Sequence, residues 1–324
     1  MEKNVLLATF AVVAAMGCTG DSNAQVYPSR PITLIVPNPA GGPMDTVARI
    51  IAERARGSLG QPIIIENVPG ASGSIGTGRV ARAAADGYLL SLGGWSQYVA
   101  NSAVYALKYD LVQDFEPIVL ITTQPLLLVA NKSMPAKDLK ELIAWLKANP
   151  GKALQGTGGH LDHVAGVFFQ KETGTRFGFV PYRGISPSMQ DLVGGHINLM
   201  IATAPTSLPA IRAGSIKAYA VMAKSRLATA SDIPTMDQAG LPNFHFSSWQ
   251  ALWGPRGTPK DVIAKLNAAV VEALADKAVR QRLADLGQEI FPREQQTPEA
   301  LSAFQKAEIE KWWPIIKEAG IKPE

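Results

Sequence analysis

Four short loops carry the residues best placed to do chemistry: Pro39-Ala40-Gly41-Gly42, Gly70-Ala71-Ser72-Gly73, Gly156-Thr157-Gly158-Gly159 and Arg183-Gly184-Ile185-Ser186. Each lies at the end of a strand-like run and opens a run of helical period. Free N–H groups at a helix start, at the positive end of its dipole, favour an anion. Glycine lets a ligand come close to the backbone. Any one of these loops reads equally well as an ordinary strand-to-helix turn; the four together indicate an anion cleft. Asp45, two residues after Pro43, falls in the first helical turn after the first loop. There it would cap or rigidify the loop, or meet a donor on the ligand. Gly94-Trp95 closes another strand, so Trp95 either packs in the core or lines the cleft, where it would favour an apolar or aromatic ligand body. His160-Leu161-Asp162-His163 sets two histidines three residues apart at a helix start. No third metal ligand accompanies them, so loop hydrogen bonding or anion contact is expected of them and no metal is assigned.

Signatures of catalysis are missing. There is no Gly-x-Ser-x-Gly elbow and no Walker pattern. Gly76-Thr77-Gly78-Arg79-Val80-Ala81 matches the short dinucleotide pattern loosely. It does not follow a strand directly, and no Asp or Glu occurs between Gly87 and Tyr109 to hold a ribose. With these signatures absent, neither catalysis nor a cofactor is expected. A periplasmic enzyme acting on an acid, with His163 as base, is the alternative of a different class.

The elements that must position these loops alternate along the chain, which argues for α/β architecture with largely parallel sheets. Strands are expected at Ile32–Val36, Ile63–Ile65, Leu89–Leu92, Ile118–Thr122, Leu126–Ala130, Phe179–Tyr182, Ile197–Ala202, Ile216–Met222 and Trp249–Trp253. Helices are expected from Pro43 through Ala55, from Gly73 to about Ala84, over Leu139–Ala148, from Gly159 to about Thr173 and over Pro187–Val193. Thr258-Pro259-Lys260-Asp261 reads as a further start, with Thr258 as cap and Pro259 at the first position. The last helix carries Leu301, Phe304, Ile309, Trp312 and Trp313 as an apolar stripe, so the tryptophan pair is read as packing.

The net charge is +4 with basic residues scattered, and Lys306, Lys311 and Lys317 alternate with Glu308, Glu310 and Glu318. No basic stripe interleaved with aromatics is present, which argues against nucleic acid. Lys3, the apolar run Val5–Gly17 and the small residues of Ser22-Asn23-Ala24 read as a signal peptide cleaved after Ala24. The competing reading is a loose lipobox, Ala15-Met16-Gly17-Cys18, which would leave a lipid anchor on Cys18, the chain's single cysteine. Either route leads to the periplasm.

Taken in order, Tyr27-Pro28-Ser29-Arg30-Pro31-Ile32, Pro39 to Asp45, Glu66 to Gly73, Tyr109-Asp110 with Asp114-Phe115, Val180 to Gly184, Asp232 to Thr235 and Pro255 to Pro259 resemble the Bug family. These are the periplasmic substrate-binding proteins of tripartite tricarboxylate transporters, and the similarity covers essentially the whole mature length. The resemblance implies a two-lobe, type II-like binding protein that closes like a flytrap on crossing hinge strands. Lobe one would be 25–122 plus 246–324 and lobe two 123–245. It implies a small carboxylate held largely by the backbone of Pro39, Ala40, Gly41 and Gly42. Read from the loops and strand ends, Asp45, Ser72, Gly94 and Trp95 join this side of the expected site. Thr157, Gly158 and Gly159 would face them from lobe two, with His163 and the turn of Tyr182, Gly184 and Ser186 nearby. The expected ligand is a di-, amino- or aromatic acid. The expected partner of a monomeric protein is an inner-membrane permease or, alternatively, a sensor kinase. Two departures from the family pattern bear on the ligand. Gly94-Trp95-Ser96 replaces a Thr-rich turn, and His160 and Asp162 stand where small residues are commoner. Asp162 would repel an anion unless it points away or meets an amine.

Overall fold

The computed structural model describes residues 27–320. The expected signal peptide, 1–24, with Cys18, lies outside the described residues. The first units follow the sequence grammar closely. The apolar strand β1 (Ile32–Val36) feeds α1 (Pro43–Leu59), whose Val47, Ile50, Ile51, Ala55 and Leu59 share the buried side. Gly60, left-handed at φ 70°, ends that helix. Then come β2 (Ile63–Asn67), α2 (Ser74–Ala81), β3 (Leu89–Gly94) and the short α3 (Asn101–Val104). A long strand, β4 (Phe115–Asn131), leads to α4 (Leu139–Ala148), which Asp138 caps through the Glu141 N–H. Next are β5 (Leu154–Thr157), α5 (His160–Thr173), β6 (Gly178–Pro181), α6 (Ile185–Gly194), β7 (Leu199–Thr203), α7 (Ala204–Arg212) and β8 (Ile216–Val221). The chain returns through β9 (Ser247–Pro255), α8 (Lys260–Ala275), α9 (Lys277–Asp285), β10 (Glu289–Ile290) and α10 (Pro298–Glu318).

One sheet joins two halves in the order β2-β1-β3-β9-β4-β7-β5-β6, with β8 and β10 also pairing β4. β1, β2 and β3 are mutually parallel, as are β5, β6 and β7, while β9 runs antiparallel to both β3 and β4. The sequence reading divided β4 into two strands at Gln124-Pro125; the structure shows one strand. Pro125 is the last residue of β4 to pair with β9, opposite Ser247, and from Leu126 onward the strand pairs with β7 and β8. The missing proline N–H thus falls where the partner changes, so the ladder loses little.

Apolar side chains on each half fill their own core. Ile32, Val47, Ile51, Leu90, Leu252, Leu266 and Leu274 cluster in one, and Leu127, Val129, Leu192, Met200, Leu208 and Val221 in the other. A third cluster runs through both halves and includes Trp95, Tyr98, Leu128, Phe168, Phe169, Phe244 and Trp312. Helices α7 and α9 and the short β10 were not anticipated from sequence. The start of α8 also differs: Pro259 is the cap residue, and Thr258 turns its hydroxyl back to the Pro255 carbonyl at 2.7 Å. Among the described residues no helix is long and apolar enough to cross a membrane.

Candidate functional site

The first loop is fastened by its own acid. Gly41 adopts φ +79°, which favours glycine, and Gly42 caps α1 with Pro43 at the first helical position. Asp45, buried, accepts from the Gly41 N–H at 2.9 Å and from Arg49 Nε at 3.0 Å through Oδ2. Its Oδ1 accepts from Asn67 Nδ2 at 3.0 Å, and Asn67 also donates to the Asn38 carbonyl. The Arg49 hydrogen bond leads in holding the Asp45 carboxyl below its ordinary range, against the opposing effect of burial. Of the two roles open to Asp45, the structure assigns it the fastening one.

The second loop is strained. Ala71 and Ser72 both take positive φ, 46° and 50°. Such conformations cost about 1–3 kcal/mol each and persist where surroundings enforce them. Here Gln97 Nε2 and Asn101 Nδ2 both donate to the Ser72 carbonyl at 3.1 Å. Ser72 Oγ then lies 3.3 Å from the Tyr105 hydroxyl and 3.5 Å from His160 Nδ1, so it reaches the start of α5 in the opposite half.

In that half two loops abut. A Cβ on Gly158 would lie 2.6 Å from the Gly184 carbonyl carbon and 2.7 Å from the Ile185 nitrogen, so this contact requires glycine. Gly184 itself takes φ +101°. Asp162, the third residue of α5, is buried and accepts from the Gly158 N–H at 2.5 Å. Burial pushes its carboxyl up to about 7, against N–H groups of Gly158, Gly159 and His163 that favour the charged form.

A cavity of about 210 Å³ opens between the halves, lined by Ser96, Leu126, Gly158, Gly159, His160, Leu161, Asp162, Ile185, Ile201, Ala202 and Thr203. A second, of about 180 Å³, is lined by Gly41, Pro43, Thr46, Gln124, Thr203, Pro205, Thr206, Leu286 and Gln288. Thr203, at the end of β7 and the cap position of α7, belongs to both. The strand β4 contributes Gln124 to one chamber and Leu126 to the other, on either side of Pro125. Two broader depressions, around Arg280 and around Asn267, contain none of the four loops.

Several expected residues lie elsewhere. Trp95 is 1 % exposed and packs edge-on against Phe246 and Trp312, so it takes the core role and the adjacent Ser96 lines the cavity. Gly94 serves the sheet: a Cβ there would stand 2.1 Å from the Trp249 carbonyl oxygen of β9. His163 lies against Phe179 with ring centroids 4.3 Å apart, and burial, then the nearby His160, lowers its pKa; His160 lines the cavity in its place. Thr157, buried, ends β5 with its hydroxyl directed at the Val180 carbonyl. The Tyr182 hydroxyl binds Asp191 at 2.6 Å, which raises the phenol to about 12, and Ser186 is exposed on the first turn of α6. Pro39 and Ala40 are exposed beside Gly41. Ser96, Leu126 and Thr203 were missed. Thr203-Ala204-Pro205 does carry a signal, a strand followed by a threonine cap and a proline-started helix, but it contains no glycine. Among the described residues no three metal-binding side chains come together.

The whole arrangement has known counterparts. Residues 47–321 match the model of the tripartite tricarboxylate transporter family receptor. BugT of Bordetella pertussis is 36 % identical over 328 residues, with 99 % of each chain covered. The malate-bound MatC of Rhodopseudomonas palustris superposes with a TM-score of 0.77 at 38 % identity, covering 90 % of this chain and 100 % of MatC. A second R. palustris protein, solved with adipate, gives 0.78 at 34 % identity, covering 92 % of this chain and 100 % of that one. A family model that spans most of the chain, full-length relatives and a shared fold place this protein in the tripartite tricarboxylate transporter receptor family, among the Bug-type periplasmic solute-binding proteins.

Proposed function

We propose that this protein captures a small carboxylate between two lobes, 25–122 with 246–324 and 123–245, and delivers it to the inner-membrane permease of a tripartite tricarboxylate transporter. The observation that carries the reading is the pair of chambers meeting at Thr203, where strand ends and helix starts of both halves converge. Ligands of open α/β sheets bind in that position. The malate and adipate named for two structural neighbours support the carboxylate class. The reading takes the protein as a monomer and assigns no chemistry beyond binding. Closure would favour the bound state only through contacts made to both lobes at once.

Calorimetry and thermal melting against aliphatic, amino and aromatic carboxylates, with neutral sugars beside them, test this. One-to-one binding of at least one carboxylate is expected, with the acid recovered unchanged. A ligand at a hundred times its Kd should stabilise the fold by about 2.7 kcal/mol. A response to sugars alone, or consumption of the acid by the purified protein, would overturn the reading. The delivery step requires uptake by proteoliposomes carrying the permease to depend on this protein.

A further inference from the structure

Helices α1 and α5 repeat one device. Each has an aspartate at its third position that accepts from the backbone N–H four residues earlier, Asp45 from Gly41 and Asp162 from Gly158. Their surroundings differ. Asp45 is paired with Arg49, whereas no lysine or arginine pairs with Asp162 among the described residues. The 210 Å³ cavity that Asp162 lines contains no lysine or arginine either; Leu126, Leu161, Ile185, Ile201 and Ala202 give it an apolar wall. The start of α5 is thus already occupied by the protein's own acid. The starts of α6 and α7, at Ile185 and Thr203, have no acid in their first turns.

We propose that Asp162 determines the ligand class: the site takes one carboxylate on an apolar body and rejects a second carboxylate at the α5 end of the cavity. This deepens the carboxylate-binding reading and rests on it. A like charge at close range in a largely apolar cavity lined by no lysine or arginine disfavours the second acid. An apolar tail would instead meet the aliphatic wall.

The test is calorimetry at pH 8 with hexanoate and adipate, which share a six-carbon chain, on the full mature chain. Wild type should bind hexanoate at least about tenfold tighter than adipate. Asp162→Asn keeps an oxygen for the Gly158 N–H and removes the charge, so it should strengthen adipate about tenfold while changing hexanoate by less than about threefold. If Asp162→Asn fails to fold, Asp162→Ser serves, and the wild-type ratio alone remains decisive. Wild type binding adipate as tightly as hexanoate, or a ratio unmoved in a folded variant, would overturn this inference and leave carboxylate binding standing. Wild type binding neither these acids nor any other carboxylate, while remaining folded, would overturn both.

Discussion

Asp162 is a buried acid whose charge must be tolerated by backbone N–H groups alone, and its titration should be visible in the stability of the fold. Its carboxyl sits at about 7, above the roughly 3.9 of an unfolded aspartate. Between those values the folded chain holds a proton that the unfolded chain has released. Stability from this group is therefore fully present below about pH 4 and is lost as pH rises through 7. The slope from this one group can reach about 1.4 kcal/mol per pH unit in that window. Urea melts of wild type and Asp162→Asn from pH 4 to 8 should diverge in slope by a sizeable part of that amount; parallel curves would mean an ordinary aspartate. Asp45 has the opposite shift, lowered chiefly by Arg49, although its place in the helix is the same. Sequence showed both acids at helix starts but not their partners. Arg49 is four residues away and could be anticipated, whereas Asn67 reaches Asp45 only because β2 pairs with β1. The histidines show the same limit. Three residues apart, His160 and His163 lie only about 60° apart around α5, so spacing alone does not separate them, and the packing decides which one meets the cavity.

At the scale of elements, glycine was the legible signal, and it marked two different things. Gly159 is extended, at φ 174°, and a Cβ there would meet nothing nearer than Asp162 Oδ1 at 3.8 Å. Gly94 lets β3 and β9 lie together, with a Cβ position 2.1 Å from a backbone oxygen. Gly94→Ala should cost at least about 2–3 kcal/mol, because the obstacle is backbone and the strands must shift. Gly159→Ala should stay within about 0.5 kcal/mol, although it lines the cavity. Denaturant melts of the two variants compare them directly, and equal losses would contradict the sheet role given to Gly94. The strand-to-helix grammar led correctly to the loops of α1, α5 and α6. It passed over α7 because Thr203-Ala204-Pro205 makes the same turn without glycine. It left Trp95 open between core and cleft; the π-helical turn Ser96–Ala100 that follows β3 puts Ser96 at the cavity and Trp95 in the core.

For the whole molecule, the α/β class was readable from alternating periods and the two-lobe form from the family resemblance, whereas the continuity of the sheet was not. Pro125 looked like a boundary, and the pairings of β4 with β9, β7 and β8 are long-range facts that no local pattern contains. The expected lobe boundary at 122/123 falls inside that strand. Helix α10 adds a second tie between the halves. Trp312, 1 % exposed, stacks on Phe246 at 4.1 Å and meets Phe168 of α5 at 5.1 Å and Trp95 at 6.1 Å. Lys171 and Glu318 also link α5 to α10, at 2.6 Å, but both are exposed, and pairs of this kind contribute at most about 1 kcal/mol. The tie is therefore apolar. Trp312→Ala should cost about 3–5 kcal/mol. Because the cluster belongs to both halves, wild type should unfold in one transition seen alike by far-UV circular dichroism and tryptophan fluorescence. Two separated transitions in wild type would mean that the halves are stable apart and that α10 only rests against them. If the single transition holds, the halves share one core, and relative motion of the lobes has to leave that core intact, which bending of β4 and β9 beside Pro125, where Gln124 and Leu126 reach the two chambers, would do and sliding would not.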